Sequence, residues 1–114
     1  MSSYRRVPRA PLSVYLNKFV GSSAFMCRAA NISEDGILLA RLIEPELKSA
    51  DVSVEFALPG DSEVIWAHGT VVRKGSHRNC EAAGVRFTII PEQYRRRIAD
   101  YVQRHEFGFF SLAA

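Results

Sequence analysis

Three arginines near the start of the chain, Arg5, Arg6 and Arg9, and a six-residue polar stretch, Asn31-Ile32-Ser33-Glu34-Asp35-Gly36, carry the chemistry of this sequence. An arginine presents a planar fork of donors that fits phosphate oxygens or the paired acceptors on the edge of guanine. Arg5 and Arg9, four apart on an extended segment, can reach different groups of one ligand, and Arg6 adds a third contact to phosphate or to a base face. Asn31 and Ser33 offer short donors and acceptors from a turn, and Gly36 allows close approach of backbone. Together they describe an anion-binding site in two parts, a moving arginine arm and a fixed polar loop. Each part also has a plain structural role. Asn31 and Ser33 can bond their own backbone as turn formers, Gly36 serves a hairpin under either reading, and a terminal arginine cluster is commonly a solvated tail. Only their conjunction points to a ligand.

Catalytic chemistry is poorly represented. His68, His77 and His105 are scattered, with no metal-ligand spacing and no carboxylate partner evident in sequence. Ser33 lies in no Gly-x-Ser-x-Gly elbow, and neither a phosphate-loop nor a dinucleotide-binding fingerprint occurs. No enzyme, catalytic residue, metal ligand or cofactor is therefore expected. Cys27 and Cys80 stand far apart, outside any Cys-x-x-Cys pattern, and suit small buried positions, with a disulfide between them left open.

The elements that must position the site are mostly strands. Residues 1–11, with Pro8 and Pro11 among the arginines, read as an extended, flexible arm. Period-2 alternation at Leu12, Val14 and Leu16 predicts a strand over 12–20, and Gly21-Ser22-Ser23 turns the chain. Strands are expected over 24–30 and 37–42, joined by the loop Asn31–Gly36, whose glycine suits a positive φ. Residues 43–50 read as a loop. Val52, Val54, Phe56 and Leu58 alternate cleanly before the turn Pro59-Gly60-Asp61-Ser62. A long strand over 63–73 contains Gly69, a candidate bulge, and a polar loop over 74–79 leads to a last strand over 81–89. Pro91 opens a helix to about His105 whose apolar face is Tyr94, Ile98, Tyr101 and Val102. Residues 107–114 form an apolar tail that packs back or meets a partner. Trp66, at a strand centre, fits packing better than a ligand platform.

At 114 residues, 47% apolar and 24% charged, the chain is one globular domain that needs no disulfide or metal to build a core. No apolar run reaches the ~18 residues of a membrane span, so a cytoplasmic protein is expected. The formal charge is +3, and 12 of the 15 basic residues are arginine, a bias toward a specific anionic ligand. The same bias also fits a GC-rich genome.

Arg5-x-x-x-Arg9 followed by Asn31-x-Ser33-x-x-Gly36 resembles the paired signature of the PilZ domain family. Gly69-Thr70-Val71-Val72-Arg73, Gly84-Val85-Arg86-Phe87 and the Pro91-led helix follow in that family's order and extend the resemblance over almost the whole chain. The resemblance implies an all-β fold with one helix, a six-stranded antiparallel β-barrel over 12–106 with its C-terminal α-helix. It further implies a receptor for the bacterial second messenger cyclic di-GMP, bound by Arg5, Arg6, Arg9, Asn31, Ser33 and Gly36. Tyr4 occupies the position that, in this family, influences whether one or two stacked ligand molecules are held. A receptor of this kind would couple the messenger to a partner protein in trans, in motility, adhesion or exopolysaccharide control, and a homodimer is compatible with it. An alternative is a PilZ-like interaction module without nucleotide. A third is a small nucleic-acid-binding barrel, prompted by Arg95-Arg96-Arg97, but +3 with 12 acidic residues gives no basic stripe, so no nucleic-acid polymer is expected as partner.

Overall fold

The computed structural model describes residues 8–41, 51–77 and 80–113, and the side chains of these except at 41, 77, 80 and 106–113. Seven strands and one helix follow in order: β1 (Ala10–Pro11), β2 (Tyr15–Val20), β3 (Ser23–Ser33), β4 (Gly36–Arg41), β5 (Asp51–Ala57), β6 (Val64–His77), β7 (Cys80–Ile89) and α1 (Glu92–Ala113). Every pairing is antiparallel. The chain of neighbours β3-β2-β5-β6-β7-β4 is closed by β4 pairing back onto β3, giving a six-stranded barrel, with the two residues of β1 added on β3. Closure leaves the barrel's six strands without the open edges that invite aggregation.

Alternation builds the interior. Leu16, Cys27, Ile37, Leu39, Val52, Val54, Phe56, Ile65 and Val85 point inward and are buried. Lys18 also takes an inward position on β2 and is only 1% exposed. The strand expected over 12–20 is divided, because the chain leaves regular pairing at residues 12–14 while still following β3: Leu12 donates to the Ala30 carbonyl and Ala29 donates to that of Val14. The arm expected to be flexible to Pro11 is thus fixed at its base. Pro11 lacks an N–H, which an edge position tolerates.

Two boundaries move outward from the sequence expectation. The loop expected over 74–79 is mostly strand: β6 runs to His77, paired with Cys80, so β6 and β7 form one long hairpin. The helix continues to Ala113 instead of ending near His105. The turn Leu58-Pro59-Gly60-Asp61 has proline second, glycine third with φ 80°, and an Asp61 N–H to Leu58 carbonyl bond of 3.0 Å, a type II turn.

Ile98 and Val102 of α1 enter the core, flanked by the partly buried Tyr94 and Tyr101, as the helical spacing predicts. Pro91 stands at the helix entry, its carbonyl accepting the N–H groups of Tyr94 and Arg95. Arg97 then clamps the helix to the β5–β6 turn through Asp61 and Glu63. Trp66 lies on the outer surface, edge-on to Tyr94 with ring centroids 6.4 Å apart, the packing role its position suggested. Cys27 is buried, while the side chain of Cys80 and the loop expected over 43–50 lie outside the described residues. No helix among the described residues is long and apolar enough to cross a membrane.

Candidate functional site

The polar stretch 31–36 is less a loop than two strand ends and a tight turn. Asn31 and Ser33 close β3, Glu34 and Asp35 turn, and Gly36 opens β4 directly opposite Ser33. Ser33 is 9% exposed, and its Oγ accepts a 3.1 Å hydrogen bond from the Asp35 N–H. The turn-forming role is therefore real for Ser33, and its hydroxyl hydrogen and second lone pair remain for another partner. The carbonyl of Asp35 accepts from the N–H of Phe87 at 2.8 Å, tying the turn to β7.

Gly36 serves a different purpose from the positive φ expected of it. Among the described glycines only Gly21 and Gly60 take positive φ. A Cβ on Gly36 would lie 2.3 Å from the Val85 carbonyl oxygen, so glycine here lets β4 lie close against β7.

Asn31 faces outward because β3 is irregular. Cys27 and Ala29 are inward, and unbroken alternation would carry Asn31 and Ser33 inward as well. The pairs Ala29↔Leu39 and Asn31↔Leu38 leave Ala30 without an opposite residue, a bulge that shifts the alternation by one. Ile32 becomes the buried residue, and Asn31 turns to the surface.

Beside this turn lies a cavity of about 340 Å³. Arg9, Asn31, Ser33 and Gly36, the four predicted site residues that are described, all line it. Pairing of Ala10 with Ile32 brings the arm's base alongside the end of β3, which carries Arg9 to the cavity. Arg5, Arg6 and Tyr4 lie outside the described residues. Two arginines that the sequence reading did not place in the site, Arg73 on β6 and Arg86 on β7, also line the cavity. Arg86 could have been found, since it alternates with the inward Val85 and Phe87 and so must face out; Arg73 could not, for reasons of strand register given below.

The charges around the cavity are uneven. Arg9, Arg73 and Arg86 are exposed, and none is within salt-bridge distance of a carboxylate among the described residues. The helix arginines are all engaged: Arg95 with Glu34, Asp35 and Glu92, Arg96 with Glu92, Arg97 with Asp61 and Glu63, and Arg104 with Asp100. Asp35, the one carboxylate lining the cavity, lies 3.8 Å from Arg95. Three guanidiniums without a carboxylate partner among the described residues, set around a concave surface, have the chemistry to suit a compact anion. No group of three His, Cys, Asp or Glu side chains among the described residues is arranged to hold a metal ion.

α1 touches both parts of this site. Arg95 faces the Glu34–Asp35 turn, and the Tyr101 hydroxyl donates to the Pro11 carbonyl at 3.0 Å, at the base of the arm. Burial pushes the Tyr101 phenol above its ordinary pKa.

The chain matches the PilZ domain family over residues 3–104. Comparison with curated protein sequences gives no match. Among solved structures it is similar to the inhibitor of motility MotI/DgrA of Bacillus subtilis, with a TM-score of 0.81 at 14% identity over 94% of this chain and 53% of that one. The chain thus spans about half the length of that relative. It is also similar to the PilZ domain of Escherichia coli YcgR with cyclic di-GMP, TM-score 0.68 at 15% identity, covering 97% and 98% of the two chains. A third is the PilZ domain of CeSA from a cellulose-synthesizing bacterium, TM-score 0.62 at 18% identity over 86% and 97%.

Proposed function

The chain belongs to the PilZ domain family, and on that premise we propose that it is a cyclic di-GMP receptor whose site is the cavity bordered by the arm and the β3–β4 turn. The observation that carries the proposal is the convergence of Arg9, Asn31, Ser33 and Gly36 on one cavity with two further arginines lacking carboxylate partners. The YcgR PilZ domain is described with cyclic di-GMP, which supports the ligand's identity.

The ligand has two phosphates and two guanines. Arg9, with Arg5 and Arg6 from the arm, supplies forks for phosphate and for guanine O6 and N7, and Asn31 and Ser33 offer fixed polar atoms beside the turn. Tyr4 precedes Arg5 in the sequence, the position that in this family influences how many ligand molecules stack. Ordering the arm over the ligand costs conformational entropy and gives the protein a distinct bound state. That state is read by a partner protein, in a non-enzymatic, cytoplasmic role. α1 is the element through which the arm and turn are linked to the rest of the surface, through Tyr101 and Arg95.

Calorimetric titration tests the reading. The intact chain is expected to bind cyclic di-GMP at micromolar concentrations or tighter, and Arg9→Ala to weaken it at least tenfold, the loss expected for one charge-assisted contact of about 1.5–3 kcal/mol. Absence of heat with the intact chain would leave the interaction-module reading in its place.

A further inference from the structure

Arg73 reaches the cavity by an irregularity of its own. On β6, Ala67, Gly69 and Val71 take the inward positions, and regular alternation would turn Arg73 into the barrel. The pairs Val71↔Val85 and Arg73↔Gly84 leave Val72 unopposed, and this bulge rotates Arg73 outward. Two strands, β3 and β6, are thus each broken by one extra residue, and each break aims one polar side chain, Asn31 or Arg73, into the same cavity.

Gly84 is the residue opposite the arginine there. A Cβ on Gly84 would stand 3.7 Å from the Arg73 Cβ and 4.0 Å from its Nε, so the side chain lies along bare backbone. The cavity has two unlike ends. Arg86, paired with Gly36, stands with Arg9, Ser33 and Asp35 at the polar end. Gly84 is two residues along β7, about 7 Å at the usual strand rise. Around it the lining is Leu38, Val72 and Ala82, with Asn31 opposite Leu38 and Ser76 beyond, and Arg73 is the charged residue at that end.

We propose that Arg73 reads the base of the bound nucleotide: its fork takes O6 and N7 of a guanine lying against the apolar end, while Arg9 and Arg86 hold phosphate at the other. This rests on the cyclic di-GMP reading and extends it to base selectivity. The fork suits guanine because both groups on that edge accept hydrogen bonds. Adenine presents a donor, its N6 amine, where guanine presents O6, so the same arginine meets a mismatch. A phosphate contact at Arg73 would show no such preference.

The experiment is titration of the full chain and its Arg73→Ala, Arg73→Lys and Arg86→Ala variants with cyclic di-GMP and with cyclic di-AMP. Arg73 is exposed, so its truncation leaves the core intact, and thermal melts of each variant check that the fold is kept. Wild type is expected to prefer cyclic di-GMP, and Arg73→Ala to lose about tenfold of that preference, the lower end for a bidentate base contact. Arg73→Lys keeps the charge without the fork and should not restore the preference, whereas Arg86→Ala should weaken both ligands alike. Equal weakening of both ligands by Arg73→Ala, no effect of it, or a wild type without preference would each overturn the assignment while leaving the receptor reading standing. A wild type that binds neither dinucleotide would overturn both.

Discussion

A Cβ placed on Gly36 would lie 2.3 Å from the Val85 carbonyl, and one on Gly69 would lie 2.5 Å from that of Arg86. The two glycines stand on β4 and β6, on either side of β7, and let both strands close on the stretch that carries Arg86. Gly36→Ala must therefore push β4 off β7 at the mouth of the cavity. We expect it to destabilise the chain by about 1–3 kcal/mol, the usual cost of inserting a methyl where none fits. Urea unfolding measures that cost, and a midpoint equal to wild type would show that β4 relaxes freely. Ser33→Ala removes the acceptor for the Asp35 N–H, leaving that donor to solvent, and should cost less, about 1 kcal/mol in the same assay. The types and spacing of Asn31, Ser33 and Gly36 were legible as a candidate site, and the three do line one cavity, but the reason for the glycine was not legible. The nearness of Val85 depends on a strand almost fifty residues away.

At the scale of elements, alternation made most strands readable, and it failed where a strand gains one residue. Whether Ala30 or Val72 is a bulge is decided by the register of the partner strand, which no local window contains. The bulge anticipated at Gly69 does occur, between the pairs His68↔Ile89 and Gly69↔Phe87, but the extra residue is Thr88 on β7. The consequence can be tested by deletion. Removing Ala30 puts Asn31 directly after Ala29, so regular alternation then holds Asn31 outward and Ile32 inward without a bulge; we expect the fold and the facing of both residues to be kept, and a large loss of stability would show that the bend of the bulge is itself required. Titration beside a thermal melt reads affinity and stability together. The clamp of α1 was equally hidden, since Arg97 and Asp61 are 36 residues apart. The Glu63 N–H and the Arg97 guanidinium hold the Asp61 carboxyl below its ordinary pKa. A group whose folded pKa is lowered adds stability that is complete above its unfolded value, about 3.9, and is lost as pH falls through the folded value. Asp61→Asn should therefore be less stable than wild type at neutral pH, and the gap should close below about pH 4. Urea midpoints at pH 7 and pH 3 check it, and a gap that persists unchanged in acid would exclude the carboxylate as its source.

Over the whole molecule, the net charge of +3 is less informative than where the charges are left uncompensated. Arg95-Arg96-Arg97 suggested a basic helix face, yet each of these arginines meets a carboxylate, and so does Arg104. Three of the described arginines without a carboxylate partner line one cavity, which favours a small anion over a polymer that needs a continuous stripe. A ligand that binds only the folded chain stabilises it by RT ln(1 + [L]/Kd), about 2.7 kcal/mol at a hundredfold excess over Kd. For a domain of this size each kcal/mol moves Tm by roughly 4 °C, so cyclic di-GMP at that excess should raise Tm by about 10 °C. Because Arg9 and Arg86 are exposed, their attraction for phosphate is screened. At fixed ligand concentration the rise in Tm should therefore shrink as salt goes from about 0.05 to 0.5 M, while the melt of the ligand-free chain, held mainly by its apolar barrel core, changes little. Scanning fluorimetry across salt and ligand series reads both at once. A shift indifferent to salt would place the binding energy outside the arginines, and a steep fall in the affinity for single-stranded RNA over the same range would return the polymer reading to consideration.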